Sequence, residues 1–318
     1  QQNPATPSHN QSMFAAVFPG QGSQKPGMGH SLYETFDAAK QVFDEVSGAL
    51  QIDVAKLCFE STEDELRQTQ NAQIALYTCG LAAWQSLDLP GYVQAFAGHS
   101  VGEYAAVVAS GALSVREGAR LVWRRGELMK EAPRGTMAAV LGLESSLLEE
   151  ICREVNGIVV IANDNCPGQL VISGEVEAVR EASERAGEAG AKRVLPLNVS
   201  GAFHSPLMAD AAREMGEALK EASWQPQVKP VVANVTACSV EGSASWANLL
   251  ERQLSSSVRW TESVQGMIGE GIMTFVECGS GEVLTGLLKR IEKEATGIAV
   301  HDASSVNAAK LQLGAVNA

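Results

Sequence analysis

The segment Gly98-His99-Ser100-Val101-Gly102 has the Gly-x-Ser-x-Gly spacing of a nucleophile elbow. In such an elbow a sharp turn between a strand and a helix exposes the serine, and the N-terminus of the helix favours developing negative charge. An apolar segment typical of a buried strand occupies residues 93–97, and a helix is predicted for 103–110. This context favours Ser100 as a catalytic nucleophile. The alternative is a chance Gly-x-Ser-x-Gly in a loop.

A serine hydroxyl is a weak nucleophile and requires a base within hydrogen-bond reach, so the five histidines must be compared. His204 lies on a loop, after a predicted strand at 192–197 and before the start of a helix at Ser205-Pro206. Such element ends often carry catalytic side chains. Its alternative role is to cap that helix. The other histidines are less suitable. His9 lies in the N-terminal segment, and His30 and His301 lack a supporting pattern. His99, next to the serine in sequence, would point away from it on a tight turn.

Arg125 lies on the apolar face of a predicted helix. Its neighbours three and four positions away are all apolar, namely Leu121, Val122, Leu128 and Met129. Arg124, in contrast, has the charged neighbours Arg120 and Glu127 that are typical of a solvated face. Burying a guanidinium is costly unless an anion pairs with it. Two interpretations remain open, an internal ion pair with Asp or Glu and a bidentate clamp for a substrate carboxylate.

The glycine-rich loop Gly20-Gln21-Gly22-Ser23-Gln24 follows a predicted first strand at 14–18. It lacks the Gly-Lys-Ser/Thr ending of a P-loop, and Pro26-Gly27 interrupts the next helix, so a nucleotide-binding role is not favoured. Another use of this loop is to bring a hydrogen-bond donor close to the nucleophile, where an oxyanion forms during acyl transfer.

Composition excludes several classes of protein. A formal net charge of -13 argues against nucleic acid as a partner, and no apolar run reaches the roughly 18 residues that span a bilayer. The six cysteines are far apart, and neither they nor the histidines have metal-ligand spacing. We therefore expect reduced thiols in a cytoplasmic protein that lacks a secretion signal. The polar residues 1–12 precede Met13 and are expected to be a disordered remnant outside the fold.

The order of the predicted elements indicates an α/β protein with an insertion. Strands at 14–18, 93–97 and 272–278 alternate with helices at 31–50, 71–87 and 205–222, which favours a parallel sheet. Residues 134–200 instead read strand-helix-strand-strand-helix-strand, the ferredoxin-like order. In this unit Ser146 and Glu149 have capping-box spacing, and residues 163–169 are predicted to form a turn. We assign 13–133 and 201–305 to a large subdomain, 134–200 to the insertion and 306–318 to a C-terminal tail.

Several motifs together resemble the malonyl-CoA:acyl carrier protein transacylases, in the order typical of that family and over nearly all of residues 13–305. They are Gly20-Gln21-Gly22-Ser23-Gln24, Gly98-His99-Ser100-Val101-Gly102-Glu103, Arg125-Gly126, Gly201-Ala202-Phe203-His204, Gln253 and Gly279-Ser280-Gly281-x-x-Leu284. The resemblance implies a hydrolase-like large subdomain with a parallel sheet and an inserted ferredoxin-like small subdomain.

The same resemblance implies a ping-pong reaction. Ser100 would take the malonyl group from malonyl-CoA with His204 as general base and acid, and the phosphopantetheine thiol of acyl carrier protein would then accept it. Other implied roles are oxyanion donors (Gln21 and the backbone N–H of Val101), a partner for the malonyl carboxylate (Arg125), a carbonyl that orients the base (Gln253) and a pocket border (Asn165). No cofactor is implied, and we expect a monomer.

Specificity and partner docking are the remaining expectations. Gly201-Ala202-Phe203-His204 is similar to the malonyl-selecting version of that motif. Selection against methylmalonyl is expected to be incomplete, because its one extra methyl group is worth only about 1 to 3 kcal/mol in a pocket. The carrier protein is expected to dock on a local basic patch, for which the candidates are Arg185, Lys192, Arg193, Lys289 and Arg290. The rival functions are an esterase or thioesterase with the same elbow and a noncatalytic scaffold that binds acyl carriers.

Overall fold

A computed structural model describes residues 13–314, so the predictions for residues 1–12 and 315–318 lie outside the described chain. The strands are β1 Phe14–Phe18, β2 Val93–Gly98, β3 Thr136–Leu141, β4 Val159–Cys166, β5 Gln169–Gly174, β6 Arg193–Pro196, β7 Val231–Val232, β8 Ser239–Val240, β9 Val258–Arg259, β10 Thr274–Cys278 and β11 Thr296–Val300. The helices are α1 His30–Thr35, α2 Asp37–Leu50, α3 Val54–Glu60, α4 Glu63–Arg67, α5 Thr69–Leu87, α6 Gly102–Ala109, α7 Val115–Glu131, α8 Ser145–Glu154, α9 Val176–Glu188, α10 Ala209–Glu221, α11 Trp246–Gln253, α12 Trp260–Gly269, α13 Val283–Ile291 and α14 Ala303–Gln312.

The large subdomain contains the predicted parallel sheet, with strand order β11-β10-β1-β2-β7-β8. Neighbouring strands are parallel except at the edge pair β7 and β8. Every residue of β1 is buried, and its successive side chains enter two different apolar clusters on the two faces. Because Phe18 is paired with Gly98, the loops that follow β1 and β2 leave the same edge of the sheet. Ligands of open α/β sheets bind at this carboxyl edge.

The insertion folds as the predicted ferredoxin-like unit. Its strands are arranged β6-β3-β5-β4 with antiparallel pairing, and the helices α8 and α9 lie between strands in the chain order of that motif. Side chains of these elements form an apolar cluster of their own. The short strand β9 of the large subdomain extends the sheet by pairing with β4 in parallel, and Arg134 bridges Gly201 where the chain enters and leaves the insertion.

Several local predictions for the insertion and its surroundings are wrong. The Ser146–Glu149 capping box does not form, because α8 begins one residue earlier, with Glu144 at its N-cap and no side-chain cap. The predicted turn at 163–169 is largely strand, since β4 continues to Cys166 and β5 starts at Gln169. Pairing with β5 and β9 supplies backbone partners that local polarity did not reveal. The helix predicted at 31–50 is interrupted at Phe36, and α3 and α4 were not predicted.

The C-terminal segment does not match the predicted boundary at residue 305. Helix α14 crosses it, and Val306, Ala309 and Leu313 are buried in the main apolar cluster of the large subdomain. Asp302 caps this helix through a reciprocal pair of hydrogen bonds with Ser305. Residues 306–314 are therefore packed structure and not a tail.

Residues 13–314 contain neither a candidate metal site nor a candidate membrane-spanning helix. No group of three or more His, Cys, Asp or Glu side chains is arranged to hold a metal ion. No helix in this part of the chain has both the length and the apolar composition required to cross a membrane.

Candidate active site

A cavity of about 580 Å³ lies where the carboxyl edge of the large sheet faces the small sheet. Both subdomains contribute to its wall. The residues that line it include Gln21, Ser100, Asn165, Val171, His204 and Leu287. Four of the predicted site residues, namely Gln21, Ser100, Asn165 and His204, are thus brought to one cavity by elements that are far apart in sequence.

Ser100 lies on a sharp turn between β2 and α6, as the elbow motif predicts. Its φ is 54°, a left-handed conformation that residues other than glycine rarely adopt. A Cβ added at Gly98 would lie 1.9 Å from the carbonyl oxygen of Gly102, and one at Gly102 would lie 2.2 Å from that of Phe18. Both glycines of the motif are therefore required by close backbone approach.

His204 is a direct hydrogen-bond partner of Ser100 in the cavity. Its Nε2 lies 2.8 Å from Ser100 Oγ, and its Nδ1 lies 2.8 Å from the backbone carbonyl oxygen of Gln253. Because a carbonyl only accepts, Nδ1 carries the proton and Nε2 is free to accept one. His204 is 4% exposed, and burial together with the charge of Arg125 lowers its pKa to about 3. The imidazole is therefore neutral in the resting site.

Arg125 is 1% exposed and reaches the same serine from α7. Its Nη2 donates to Ser100 Oγ at 3.1 Å and to Gln253 Oε1 at 2.8 Å, and its Nη1 donates to Gln73 Oε1 at 2.7 Å. These partners within residues 13–314 are uncharged, so the structure does not show the direct ion pair that the sequence left open. The guanidinium also lies 5.7 Å from the ring centre of Tyr104, which stabilises a buried cation.

Buried polar residues that were not predicted hold the elbow from behind. Asn234 accepts from the Ser100 N–H at 2.9 Å and donates to the Gly98 carbonyl at 2.7 Å. Glu103, in the first turn of α6, is fully buried, and burial raises its pKa to about 8 against hydrogen bonds and the charge of Arg125. Its place directly after the motif was a usable signal. Asn234 has no comparable signal, because its loop reaches the elbow only through the pairing of β2 and β7.

The two predicted oxyanion donors differ in their surroundings. Gln21 lines the cavity on the loop after β1, and its amide donates weakly to Thr69 Oγ1 at 3.4 Å. Val101 is the N-cap of α6, and its side chain is buried. The N–H groups of Ser100 and Gly102 are paired, whereas that of Val101 forms no hydrogen bond within the described chain.

His99 and Asn165 form a polar contact on the cavity wall. His99 Nε2 lies 2.7 Å from Asn165 Oδ1, and both residues line the cavity. The side chain of His99 therefore bonds to the small subdomain and not to Ser100, although the sequence did not predict that it would border the cavity. Asn165 lies on β4 and not in the predicted turn.

Comparison with known proteins agrees with this geometry. The acyl transferase domain family matches residues 15–310. A malonyl CoA-acyl carrier protein transacylase of Bacillus subtilis is 44% identical over 305 residues, covering 94% of this chain and 96% of its own. The crystal structure of an acyl carrier protein S-malonyltransferase from Vibrio cholerae has a TM-score of 0.90 at 40% identity and covers 94% of this chain and 100% of its own.

A second solved structure is a type II polyketide synthase acyl-carrier protein in complex with its malonyl-transacylase. It has a TM-score of 0.91 at 39% identity and covers 95% of this chain and 100% of its own. The similarity extends over both subdomains, and the resemblance inferred from the motifs is confirmed. The chain belongs to the acyl transferase domain family and, within it, to the malonyl CoA-acyl carrier protein transacylases.

Proposed function

We propose that this protein transfers the malonyl group of malonyl-CoA to the phosphopantetheine thiol of acyl carrier protein through a malonyl ester of Ser100. The observation that carries the proposal is the contact of one oxygen, Ser100 Oγ, with both a neutral imidazole and a buried guanidinium, at 2.8 and 3.1 Å. The first group is suited to remove the hydroxyl proton, and the second to recognise an anionic acyl group. A plain esterase has no need of the second.

In the first half-reaction Ser100 Oγ attacks the thioester carbonyl, and its proton passes to His204 Nε2. The backbone carbonyl of Gln253 stabilises the imidazolium by accepting from Nδ1. When the tetrahedral intermediate collapses, the bond to sulfur breaks and His204 returns the proton to the leaving thiolate of coenzyme A. No acidic third member is required in this arrangement, because the carbonyl fixes the tautomer.

The oxyanion of this intermediate requires donors that are already in place. We assign this role to the backbone N–H of Val101, which is unpaired in the described chain and lies at the N-terminus of α6, and to the side-chain amide of Gln21. The helix N-terminus adds favourable partial positive charge at the same position. The weak 3.4 Å contact of Gln21 with Thr69 is easily exchanged for one with substrate.

We assign the free carboxylate of the malonyl group to Arg125. A guanidinium binds a carboxylate through two parallel hydrogen bonds, and a buried site without a direct charge partner gains most from such an anion. The carboxylate would take the place of the present contact between Arg125 and Ser100. The contacts with Gln73 and Gln253 hold the side chain in position meanwhile. Asn165 and His99, which are hydrogen-bonded to each other, also border the cavity.

The second half-reaction reverses the first. The thiol of the carrier gives its proton to His204, and the sulfur attacks the malonyl ester. The ester bond to Ser100 Oγ then breaks, and His204 returns the proton to that oxygen. Coenzyme A and phosphopantetheine thus enter as substrates, and the chemistry requires no further cofactor. We retain the predictions of a cytoplasmic monomer; the free thiols of the described cysteines are consistent with a reducing compartment.

The basic residues predicted to dock the carrier protein differ in their ion pairing and in their position relative to the cavity. Arg185 is already paired with Glu181 at 2.7 Å and Glu154 at 3.8 Å. Lys289 and Arg290, in contrast, lie in the last turn of α13, and the first turns of this helix line the cavity. Lys192 and Arg193 precede a segment at 197–199 that also lines it. We propose these two basic pairs as the docking surface for an acidic carrier protein.

A loading experiment tests the proposed function. The protein is incubated with malonyl-CoA, and intact mass spectrometry should show one added malonyl group that is absent from the Ser100→Ala variant. The isolated acyl-protein should then discharge to holo acyl carrier protein. Release chiefly as free malonate would support the esterase or thioesterase instead. Full transfer by Ser100→Ala would exclude Ser100 as the nucleophile, and binding of the carrier without any malonyl loading would support the noncatalytic scaffold.

A further inference from the structure

Glu103 is a fully buried carboxyl group that the reaction described above does not use. Its Oε2 accepts from the backbone N–H of Asn234 at 2.6 Å, and its Oε1 accepts from Gln253 Nε2 at 3.1 Å. Glu103 and its two partners do not line the cavity. A carboxyl group is costly to bury unless its hydrogen bonds are satisfied, as they are here.

The contact with Gln253 continues to the proposed carboxylate site. The Gln253 side chain is 0% exposed and uses both ends of its amide, donating from Nε2 to Glu103 and to the Ser100 carbonyl at 2.7 Å and accepting at Oε1 from Arg125. We propose that Glu103 is a positioning residue for malonyl selection: it fixes the orientation of the Gln253 amide, which in turn holds Arg125 beside Ser100. Glu103 is thereby linked to Arg125 by hydrogen bonds through the Gln253 amide.

The hydrogen-bond directions make this orientation specific. Glu103 faces two donors, and each of its two side-chain oxygens accepts from one of them. The isosteric amide that the substitution Glu103→Gln introduces has one oxygen and one NH2 group, so one of the two contacts becomes donor against donor. The backbone N–H of Asn234 is fixed by the main chain and makes the shorter contact, so the introduced amide turns its oxygen toward Asn234 and its NH2 group toward Gln253. The Gln253 amide is then driven to rotate and turns its own NH2 group toward Arg125. The NH2 group of Gln253 and the guanidinium of Arg125, both donors, then face each other in a buried site.

The experiment compares loading of Ser100 from malonyl-CoA and from acetyl-CoA, since an acetyl group has no carboxylate for Arg125. A buried donor left without an acceptor has an energetic cost that corresponds to a change of about 10- to 100-fold. Glu103→Gln should therefore lower the malonyl-to-acetyl ratio of loading rates by about 10- to 100-fold. The exposed Glu188→Gln is the matched control and should leave the ratio unchanged. An unaltered ratio in a loading-competent Glu103→Gln protein would overturn the inference.

A second variant tests the same connection from Glu103 through Gln253 to Arg125 if Glu103→Gln does not fold. Gln253→Met preserves the length of the side chain and the backbone carbonyl that contacts His204, but the methionine side chain does not donate to Glu103. It should lower the ratio to a similar extent, and an unchanged ratio would count against the bridge.

The double variant Glu103→Gln/Arg125→Ala should lower the ratio no further than Arg125→Ala alone. Additive losses would show that Glu103 acts independently of Arg125. The inference rests on the proposed malonyl transfer, which fails separately if the unmodified protein does not load from malonyl-CoA.

Discussion

Arg125 and His204 contact the same atom, Ser100 Oγ, from two separate elements of the large subdomain. The serine oxygen therefore accepts from the guanidinium while its proton is directed to the imidazole. The positive charge of Arg125 also helps to lower the pKa of His204, which keeps the base unprotonated. One cation thus supports both recognition of an anionic acyl group and readiness of the base.

Replacement of Arg125 should change which acyl group is loaded. In Arg125→Ala the malonyl carboxylate loses two charge-assisted hydrogen bonds, and loading from malonyl-CoA should fall about 100-fold or more. Loading from acetyl-CoA should rise relative to malonyl-CoA, because the site no longer contains an unpaired cation. Rates of acyl-protein formation by rapid-quench mass spectrometry measure both effects.

The neighbouring Arg124→Ala is the matched control for this variant, because Arg124 lies on the same helix with its side chain 43% exposed and paired with Glu127. Its loading rates should stay within about twofold of the original, since exposed ion pairs are worth about 0 to 1 kcal/mol. If the Arg125→Ala and Arg124→Ala proteins had the same acyl preference, the assignment of Arg125 to the substrate would be wrong.

Removal of the base should slow both half-reactions. His204→Ala leaves the oxyanion donors in place but removes the proton acceptor, so loading should fall by about 100- to 10,000-fold. Discharge to holo carrier protein should fall in parallel, because the same imidazole acts in both directions. The control is His30→Ala, whose side chain is 53% exposed and paired with Glu34. A His204→Ala protein that loads at the original rate would exclude this histidine as the base.

Much of the fold followed from patterns that are local in sequence. The strand at Phe14–Phe18 was predicted because its apolar residues are consecutive and stop at Pro19-Gly20. The insertion was recognised from the order of its elements, and that order needs only approximate boundaries. The predicted boundaries in the insertion were wrong where pairing with another segment decides how far a strand extends, as in the extension of β4 along β5 and β9.

The candidate site divides in the same way. Ser100 and Arg125 could be identified because each has an unusual local context, a glycine-flanked turn and an apolar helix face. Asn234 and Gln73 could not, because their polar side chains have a role only after folding places them beside the elbow and the guanidinium. A buried hydrogen-bond network is built from pairs that are distant in sequence, and a single sequence does not report such pairs.

The elbow glycine Gly98 should not tolerate a side chain. A Cβ there would meet the Gly102 carbonyl oxygen at 1.9 Å, a backbone atom that cannot move without distorting α6. Gly98→Ala should therefore lower the free energy of unfolding by more than about 3 kcal/mol, or prevent folding. Urea denaturation followed by circular dichroism measures the change.

Gly187, in α9, provides the comparison, because a Cβ added there has no atom within 4 Å. Gly187→Ala should raise the free energy of unfolding by about 0.5 to 1 kcal/mol, since alanine loses less backbone entropy in a helix. Equal stabilities of the Gly98→Ala and original proteins would show that the turn can relax, and the steric account of the motif would fail.

The neutral, buried state of His204 should make stability depend on pH. Its pKa is about 3 in the folded protein and near 6.5 in an unfolded chain, so between these values only the unfolded state binds the proton. Unfolding is therefore favoured as the pH falls through this window, by up to about 1.4 kcal/mol for each pH unit below 6.5. Urea denaturation at pH 7, 6 and 5 measures the free energy of unfolding across the upper part of the window.

The contribution of His204 is separated from that of other groups by the variant His204→Gln, whose side chain does not titrate. Its free energy of unfolding should decline less steeply with falling pH, and by pH 5 the difference should reach about 2 kcal/mol, the product of 1.5 pH units and the slope per unit. The control is His30→Gln, whose side chain is 53% exposed and does not line the cavity; it should follow the original protein. Identical slopes for His204→Gln and the original protein would mean that the folded site protonates as readily as the unfolded chain. The imidazole would then not be the neutral acceptor that the attack by Ser100 requires.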